Sequence, residues 1–399
     1  MKANNGKFIR WKELNMAAKD RMAALGIDVS HFSDSYILPG LTDVHVHLRE
    51  PGFLYKETMR TGTMSAAAGG FTDVLSMPNL DPCPDSMANL QVQLEAIERD
   101  ACVRVHPYAA ISRGELGQAL SDMEELAPHV IAFTDDGRGV ASAAMMEEAM
   151  TRAARLDKLI VAHCEDENYP KESSETEWKQ LQRDIELVRK TGCKYHVCHI
   201  STAESAELVR YAKREGLDIT CETAPHYLTI SNEEIEDSGR FKMNPPIKSA
   251  ADRSALLEAL KDGTIDMIAT DHAPHSRDEK SRGFKNSAYG IVGMESAFPV
   301  VYTKLVLTGI ITLDRLIELM YDAPRQRFGM NTCSIEAELE KDAPTFSVWN
   351  LDDEYAIDPD EFMTMGRSCP FEGWKVRGRC IATVIDGKVV WRRKATIQE

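Results

Sequence analysis

From residue 37 onward, short and nearly continuous apolar runs alternate with longer segments whose apolar residues recur every three or four positions. The first pattern predicts buried strands and the second predicts amphipathic helices. The strand-like runs are "ILPGLTDVHVHL", "FTDVLSMPN", "VRVHPYAAIS", "HVIAFTDDG", "LIVAHCED", "YHVCHIS", "DITCETAPHYL" and "DMIATDHAPH". Between them, "SMANLQVQLEAIERD", "SAAMMEEAMTRAARLDK", "EWKQLQRDIELVRKTG" and "TAESAELVRYAKREG" read as helices. The last has Ser201 or Thr202 as its N-cap and stops at Gly216. About eight strand–helix units in roughly 290 residues predict an α/β chain, a (β/α)8 TIM-type barrel in preference to an open doubly wound sheet. No G-x-G-x-x-G follows the first strand, which removes support for a dinucleotide-binding open sheet.

The texture changes near Gly329, after "TLDRLIELMYDAPRQRFG". Beyond it, "TFSVWNLDDEYAID" and "CIATVIDGKVVW" predict short strands, with Asp386-Gly387 as a hairpin turn. The expected division is therefore a barrel over residues 37–330 and a small accessory β-rich domain from residues 1–36 plus 331–399. The tail supplies strands to that domain. The N-terminal share is open, because "WKELNMAAKDRMAALG" reads as helical.

Composition removes some functions. The 399 residues carry a net charge of -16, so nucleic acid and anionic membranes are not the expected partners. A small anionic substrate stays possible if local cations or a metal reverse the field in a pocket. Nine cysteines, an odd number scattered over a long chain, argue for a reducing compartment. The N-terminus lacks the apolar core of a signal peptide, and no apolar run approaches the roughly 20 residues of a membrane span. The expected localisation is cytoplasmic.

The candidate chemistry gathers where the strand-like runs end. His45, His47 and Arg49 close the first, Asn79 the second, Asp135 and Asp136 the fourth, His163 the fifth, His199 the sixth, and Asp271 with His275 the eighth. In a barrel these ends form one mouth, where such folds build their sites. His45 and His47 are two apart and can grip one ion while Val46 faces away. Imidazole with carboxylate suits Zn2+ or a similar divalent metal. Six such ligands suit two ions about 3.5–4 Å apart that share a bridging carboxylate. Asp135 or Asp136 is placed to be that bridge. Cys164 and Cys198 are each next in sequence to a histidine, so alternation turns both toward the helices as core residues.

In order along the chain, "DVHVHLREPG", "SMPN", "AFTDDG", "AHCED", "YHVCHIS", "KMNPP", "ATDHAPH" and "YGIVGMESAFP" resemble the signatures of the amidohydrolase superfamily and, within it, the bacterial type-I dihydroorotases. The likeness runs over about residues 37–330 and more weakly into the tail. It implies His45 and His47 on a first zinc ion, His163 and His199 on a second, and Asp136 between them in place of a carboxylated lysine. One or two ions would be bound. Asp271 would touch the first ion and act as catalytic base, then acid. Arg49, Asn79, Asn244 and His275 would bind substrate, and the backbone at Tyr289 and Gly290 would close over it. His226 has no implied role and reads as structural, and Asp135 as a supporting residue. The implied activity is reversible hydrolysis of (S)-dihydroorotate to N-carbamoyl-L-aspartate in pyrimidine synthesis. A homodimer and association with an aspartate transcarbamoylase are the implied assemblies.

Three features depart from the family pattern. The segment before the first strand is short and helical in character, the stretch after "HCED" is short, and Ala288-Tyr289-Gly290 stands where Pro-Phe-Gly is usual. Two other functions are weighed against the first. One is hydrolysis of neutral rings, as by a hydantoinase, dihydropyrimidinase or allantoinase, against which Arg49 argues. The other is a non-catalytic partner of a transcarbamoylase, which would be expected to have lost ligands that this chain keeps.

Overall fold

A computed structural model describes residues 6–27 and 35–394. The parts of the expected accessory domain at 1–5, 28–34 and 395–399 lie outside the described residues. The fold is mixed α/β. Its larger part holds strands Leu41–Val46, Phe71–Ser76, Arg104–Pro107, Ala109–Ala110, Phe133–Thr134, Ile160–Ala162, Tyr195–Val197, Ile219–Thr223 and Met267–Ile268. They form a three-stranded and a six-stranded sheet, and every pairing in both is parallel. The run 104–110 passes from one sheet to the other, with Pro107 beside Ser76 and Ala109 beside Phe133. At the other end, Val46 bridges to His272, and the His47 N–H donates to the His272 carbonyl at 2.8 Å.

Parallel strands covered on both sides are apolar throughout. Leu41–Val46 and Phe71–Ser76 are buried at every position. Alternation assigns the faces: Ile160 and Ala162 pack into the large cluster shared with the helices, while Val161 joins a separate cluster with Val44, Leu75, Tyr108 and Met267. The expected helices form at Met87–Asp100, Ala143–Arg155, Glu175–Thr191 and Ala203–Arg214. Thr202 is the N-cap of the last, its hydroxyl accepting from the Ser205 N–H.

The termini make one antiparallel sheet. Its order is Ile9–Arg10, Ser35–Pro39, Phe346–Ala356, Lys375–Ile385, Lys388–Arg392. Asp386 and Gly387 both have positive φ, 50° and 69°, in the two-residue turn between the last strands. That is the turn geometry that matches strand twist, and it explains the Asp-Gly pair.

Two local readings are corrected and one open point is filled in. "ILPGLTDVHVHL" is two strands, not one. The chain breaks at Gly40, where a Cβ would lie 2.1 Å from the Thr72 side chain, and residues 37–39 pair with the tail strand. "PHYL" is helical, Pro225–Thr229, because Pro225 ends the strand and starts a helix at its first position. The N-terminal segment is helical at Met16–Ala24, as its sequence reads, and its open share of the β-rich part is two strands, Ile9–Arg10 and Ser35–Pro39, in the terminal sheet.

Candidate metal centre and mouth

All six expected ligands lie together, buried, at the C-terminal ends of the parallel strands. His45 Nε2 is 3.2 Å from Asp136 Oδ1 and 3.5 Å from Asp271 Oδ1. His47 Nε2 is 3.4 Å from Asp136 Oδ2 and 3.3 Å from Asp271 Oδ1. On the other side, His163 Nδ1 and His199 Nε2 each lie 3.7 Å from Asp136 Oδ1, and 2.9 Å from one another. The two Asp136 oxygens thus face four imidazoles. Both His45 Nε2 and Asp136 Oδ1 are buried without a hydrogen-bond partner. Buried polar atoms are normally satisfied, and this set has the donor chemistry of a divalent metal. Two trios, His45/His47/Asp271 and His45/Asp136/His199, bring their ligand atoms within 4.8 Å of one another.

The backbone is bent to make this possible. Arg49, His199 and Asp271 have φ of 62°, 31° and 48°, half of the six non-glycine residues with positive φ among those described. Such conformations cost on the order of 1–3 kcal/mol each and collect at functional sites. The bend at His199 also corrects the cysteine reading. Cys164 faces the helices, where Tyr195 and Asp184 sit, but Cys198 lies in the inner cluster, grouped with His45 and Glu222. A left-handed residue breaks the two-residue alternation, so Cys198 and His199 do not point oppositely. Burial pushes the Cys198 thiol up, which leaves it a core residue and a poor thiolate ligand.

A layer of carboxylates holds the histidines in place. Glu222 accepts from His45 Nδ1 at 2.6 Å, His196 Nε2 at 3.1 Å and the His199 N–H at 3.3 Å. Burial alone would raise Glu222, but His45 and His196 hold it down to about 2. A carboxylate on one ring nitrogen fixes which nitrogen faces the metal. Asp43 accepts from the Thr270 hydroxyl at 2.6 Å and from the His45 N–H at 3.2 Å, which joins the first strand to the last. Asp135 is committed to the N–H groups of Ile111 and Ser112, at 2.8 and 3.0 Å, and is a supporting residue. Glu222 and Asp43 escaped the sequence reading. Both sit inside strands, Leu41–Val46 and Ile219–Thr223, that carry other polar residues, so neither stands out in the sequence.

Asp136 and Asp271 are both held below the usual carboxylate range. Burial works against this, but His45 and the neighbouring imidazoles outweigh it. Burial pushes His226 down to about 3, and its ring packs against Tyr227.

The expected substrate residues surround the cluster. Arg49 Nε donates to the Pro274 carbonyl at 3.2 Å, and Nη2 is 3.4 Å from His275 Nε2. Burial with the Arg49 and Lys56 charges holds His275 down to about 3, a neutral ring. Its Nε2 donates to the Tyr289 carbonyl at 2.7 Å. Asn79 donates to the Asp136 carbonyl and leaves its Oδ1 unpartnered. Asn244 lies 3.2 Å from His163 Nε2 and donates to Glu165 at 2.7 Å. Gly290 has φ 136°, and a Cβ there would lie 2.5 Å from the Ala273 carbonyl, so only glycine fits. The short stretch after Glu165 brings Lys171 over the Tyr289 ring at 4.9 Å, beside Lys242 at 4.3 Å. Lys171 is paired there with Glu165 at 2.8 Å, and Lys56 with Glu279 at 3.0 Å, so the rim carries charges of both signs.

A family model described as Dihydro-orotase-like matches residues 35–180. A dihydroorotase of Fusobacterium nucleatum subsp. nucleatum is 44% identical over 388 residues, spanning 93% of this chain and 91% of that protein. One of Geobacillus thermodenitrificans is 45% identical over 415 residues, spanning 98% and 96%. The chain belongs to the dihydroorotase family. Among solved structures, an L-hydantoinase (dihydropyrimidinase) from Arthrobacter aurescens matches with a TM-score of 0.80 and 25% identity, over 91% of this chain and 87% of that one. A dihydropyrimidinase from Brevibacillus agri NCHU1002 matches at 0.78 and 20%, over 90% and 86%, a likeness of fold alone. The described residues include no helix long and apolar enough to cross a membrane.

Proposed function

We propose that this dihydroorotase-family chain catalyses the reversible hydrolysis of (S)-dihydroorotate to N-carbamoyl-L-aspartate, a step of pyrimidine synthesis. The observation that carries the reading is Arg49, a buried guanidinium beside His275, two residues beyond a cluster of six metal-type ligands. A planar fork at that point suits a carboxylate on the substrate ring. We read the two parallel sheets as one (β/α)8 barrel over 37–330, with the terminal sheet as its accessory domain.

In this reading His45, His47, Asp136, His163, His199 and Asp271 would hold one or two zinc ions, Asp136 being the carboxylate shared between the two sides of the cluster. Zinc held there would supply Lewis-acid polarisation of the ring carbonyl and a water made more acidic. Asp271, ionised at neutral pH, takes the proton of the attacking water. It then delivers that proton to the ring nitrogen as the carbon–nitrogen bond breaks. Arg49, Asn79, Asn244 and His275 fix the substrate carboxylate and ring, and the Tyr289–Gly290 backbone covers it. A homodimer and an association with aspartate transcarbamoylase rest on the family resemblance, and a cytoplasmic location on the scattered cysteines and the apolar pattern of the chain.

The structural likeness to hydantoinases favours one rival, hydrolysis of uncharged rings. Assay of the metal-replete chain with dihydroorotate and carbamoyl-aspartate, beside hydantoin and dihydrouracil, separates the two. Turnover of only the carboxylated pair is the expected result. Turnover of the neutral rings would transfer the chain to the rival reading and leave Arg49 without its role.

A further inference from the structure

Lys280 ends the short helix Arg277–Lys280, and its side chain is buried. Its ammonium donates to three backbone carbonyls: Lys242 at 3.0 Å, Ala288 at 2.7 Å and Gly290 at 2.6 Å. Those bonds use all three of its N–H donors. Among the described residues, no carboxylate oxygen stands at ion-pair distance from it. A buried cation without a counter-ion is costly, and here three carbonyl dipoles are its compensation. Burial and the Lys242 charge push this amine down to about 7, and the three carbonyls work the other way, in favour of the ammonium.

The three carbonyls belong to the segments that line the mouth. Lys242 is two residues before Asn244, and Ala288 and Gly290 flank Tyr289. The same segments are tied again around the ammonium. The Gly290 N–H donates to the Lys242 carbonyl at 2.9 Å, and the Ala288 N–H to the Glu279 carbonyl at 3.0 Å. The Ser287 hydroxyl donates to the carbonyl of Lys280 itself at 3.0 Å. Through Tyr289, whose carbonyl accepts from His275, the knot reaches the neighbour of Arg49. Four of the six proposed substrate contacts therefore hang on chain segments that converge on one side chain.

We propose that Lys280 is a positioning residue for substrate binding, its ammonium gathering the Lys242–Asn244 and Ala288–Gly290 segments into the arrangement that receives the ring. It also polarises the Ala288–Tyr289 peptide, whose N–H lies at the covering loop, since hydrogen bonds in series strengthen one another. The proposal rests on the reading of this mouth as the dihydroorotate site.

The test compares Lys280→Met and Lys280→Gln with the parent, each as the full, metal-replete chain. Steady-state kinetics with dihydroorotate are combined with hydrogen exchange of residues 283–291 in the absence of substrate. The expected result is a KM raised about tenfold or more, with kcat changed far less and metal content unchanged. The amides of Ala288 and Gly290 should exchange faster, while strand Tyr195–Val197 keeps its protection. Lys280→Gln, which still donates two bonds, should fall between Met and the parent. Parental KM and loop protection in Lys280→Met would overturn the proposal. So would exchange accelerated throughout the chain, or loss of fold, in both variants, because the ammonium would then support the fold at large. If the parent itself does not turn over dihydroorotate, the functional reading fails, and the exchange comparison still decides whether Lys280 holds the loop.

Discussion

The two ends of the parallel strands each bury an aspartate that is held ionised, and they do it in opposite ways. Near the strand starts, Asp73 is met by His106 at 3.0 Å, Arg325 at 2.9 Å, Arg104 at 3.5 Å and the Thr72 hydroxyl at 2.9 Å. At the strand ends, Asp136 is met by four imidazoles at 3.2 to 3.7 Å, and its Oδ1 makes no hydrogen bond. The first cluster is complete within the protein. The second sets imidazole nitrogens against carboxylate oxygens at distances that a bound cation would bridge. A finished polar cluster contributes stability, whereas one whose geometry is held fixed by neighbours such as Glu222 is available for chemistry. The comparison also separates what each end should lose on mutation.

The largest effect should come from Asp271→Ala. It removes the proton carrier, so turnover should fall about 10²–10⁴-fold. Metal content, measured by atomic absorption, should stay largely intact because the imidazoles and Asp136 remain. Near-parental turnover would refute the role.

Next in size is Arg49→Ala. Loss of a bidentate grip should raise KM for dihydroorotate about tenfold or more, with a smaller change in kcat. An unchanged KM would remove the anion-binding role.

The smallest effect on activity, and a clear one on stability, is expected from Asp73→Asn. Burial would raise this carboxylate, but His106, Arg325 and Arg104 hold it down to about 2. A folded pKa below the unfolded value of about 3.9 stabilises the fold above that pH, and the contribution is lost as pH falls through about 2. The variant should lose on the order of 2 kcal/mol at neutral pH, with kcat/KM unchanged. The gap in Tm between variant and parent should shrink as the pH is lowered through that window. A gap independent of pH would show that the Asp73 charge is not what this end of the strands depends on.

Much of the mouth was legible because metal ligation writes itself into local sequence. His45 and His47 stand two apart at a strand end, and His163, His199, Asp136 and Asp271 each close an apolar run. Glu222 was not legible, because its meaning depends on His45, 177 positions away. Lys280 was equally silent, since its partners are backbone carbonyls, which no side-chain pattern encodes. Cys198 was misplaced because strand alternation presumes an extended backbone, and His199 departs from it. The terminal sheet was half visible. The Asp-Gly turn announced the last hairpin, but the pairing of Ile9–Arg10 with Ser35–Pro39 involves only two residues of one strand, too few to show a period.

The central claim is that the strand-end cluster is a metal centre bridged by Asp136 and that turnover depends on it. The most direct measurement is the number of zinc ions bound per chain in the parent and in Asp136→Ala, with dihydroorotate turnover read on the same samples. The account predicts up to two ions in the parent, fewer in the variant, and activity lost with them. A variant that binds the parental number of ions and turns over at the parental rate would contradict it.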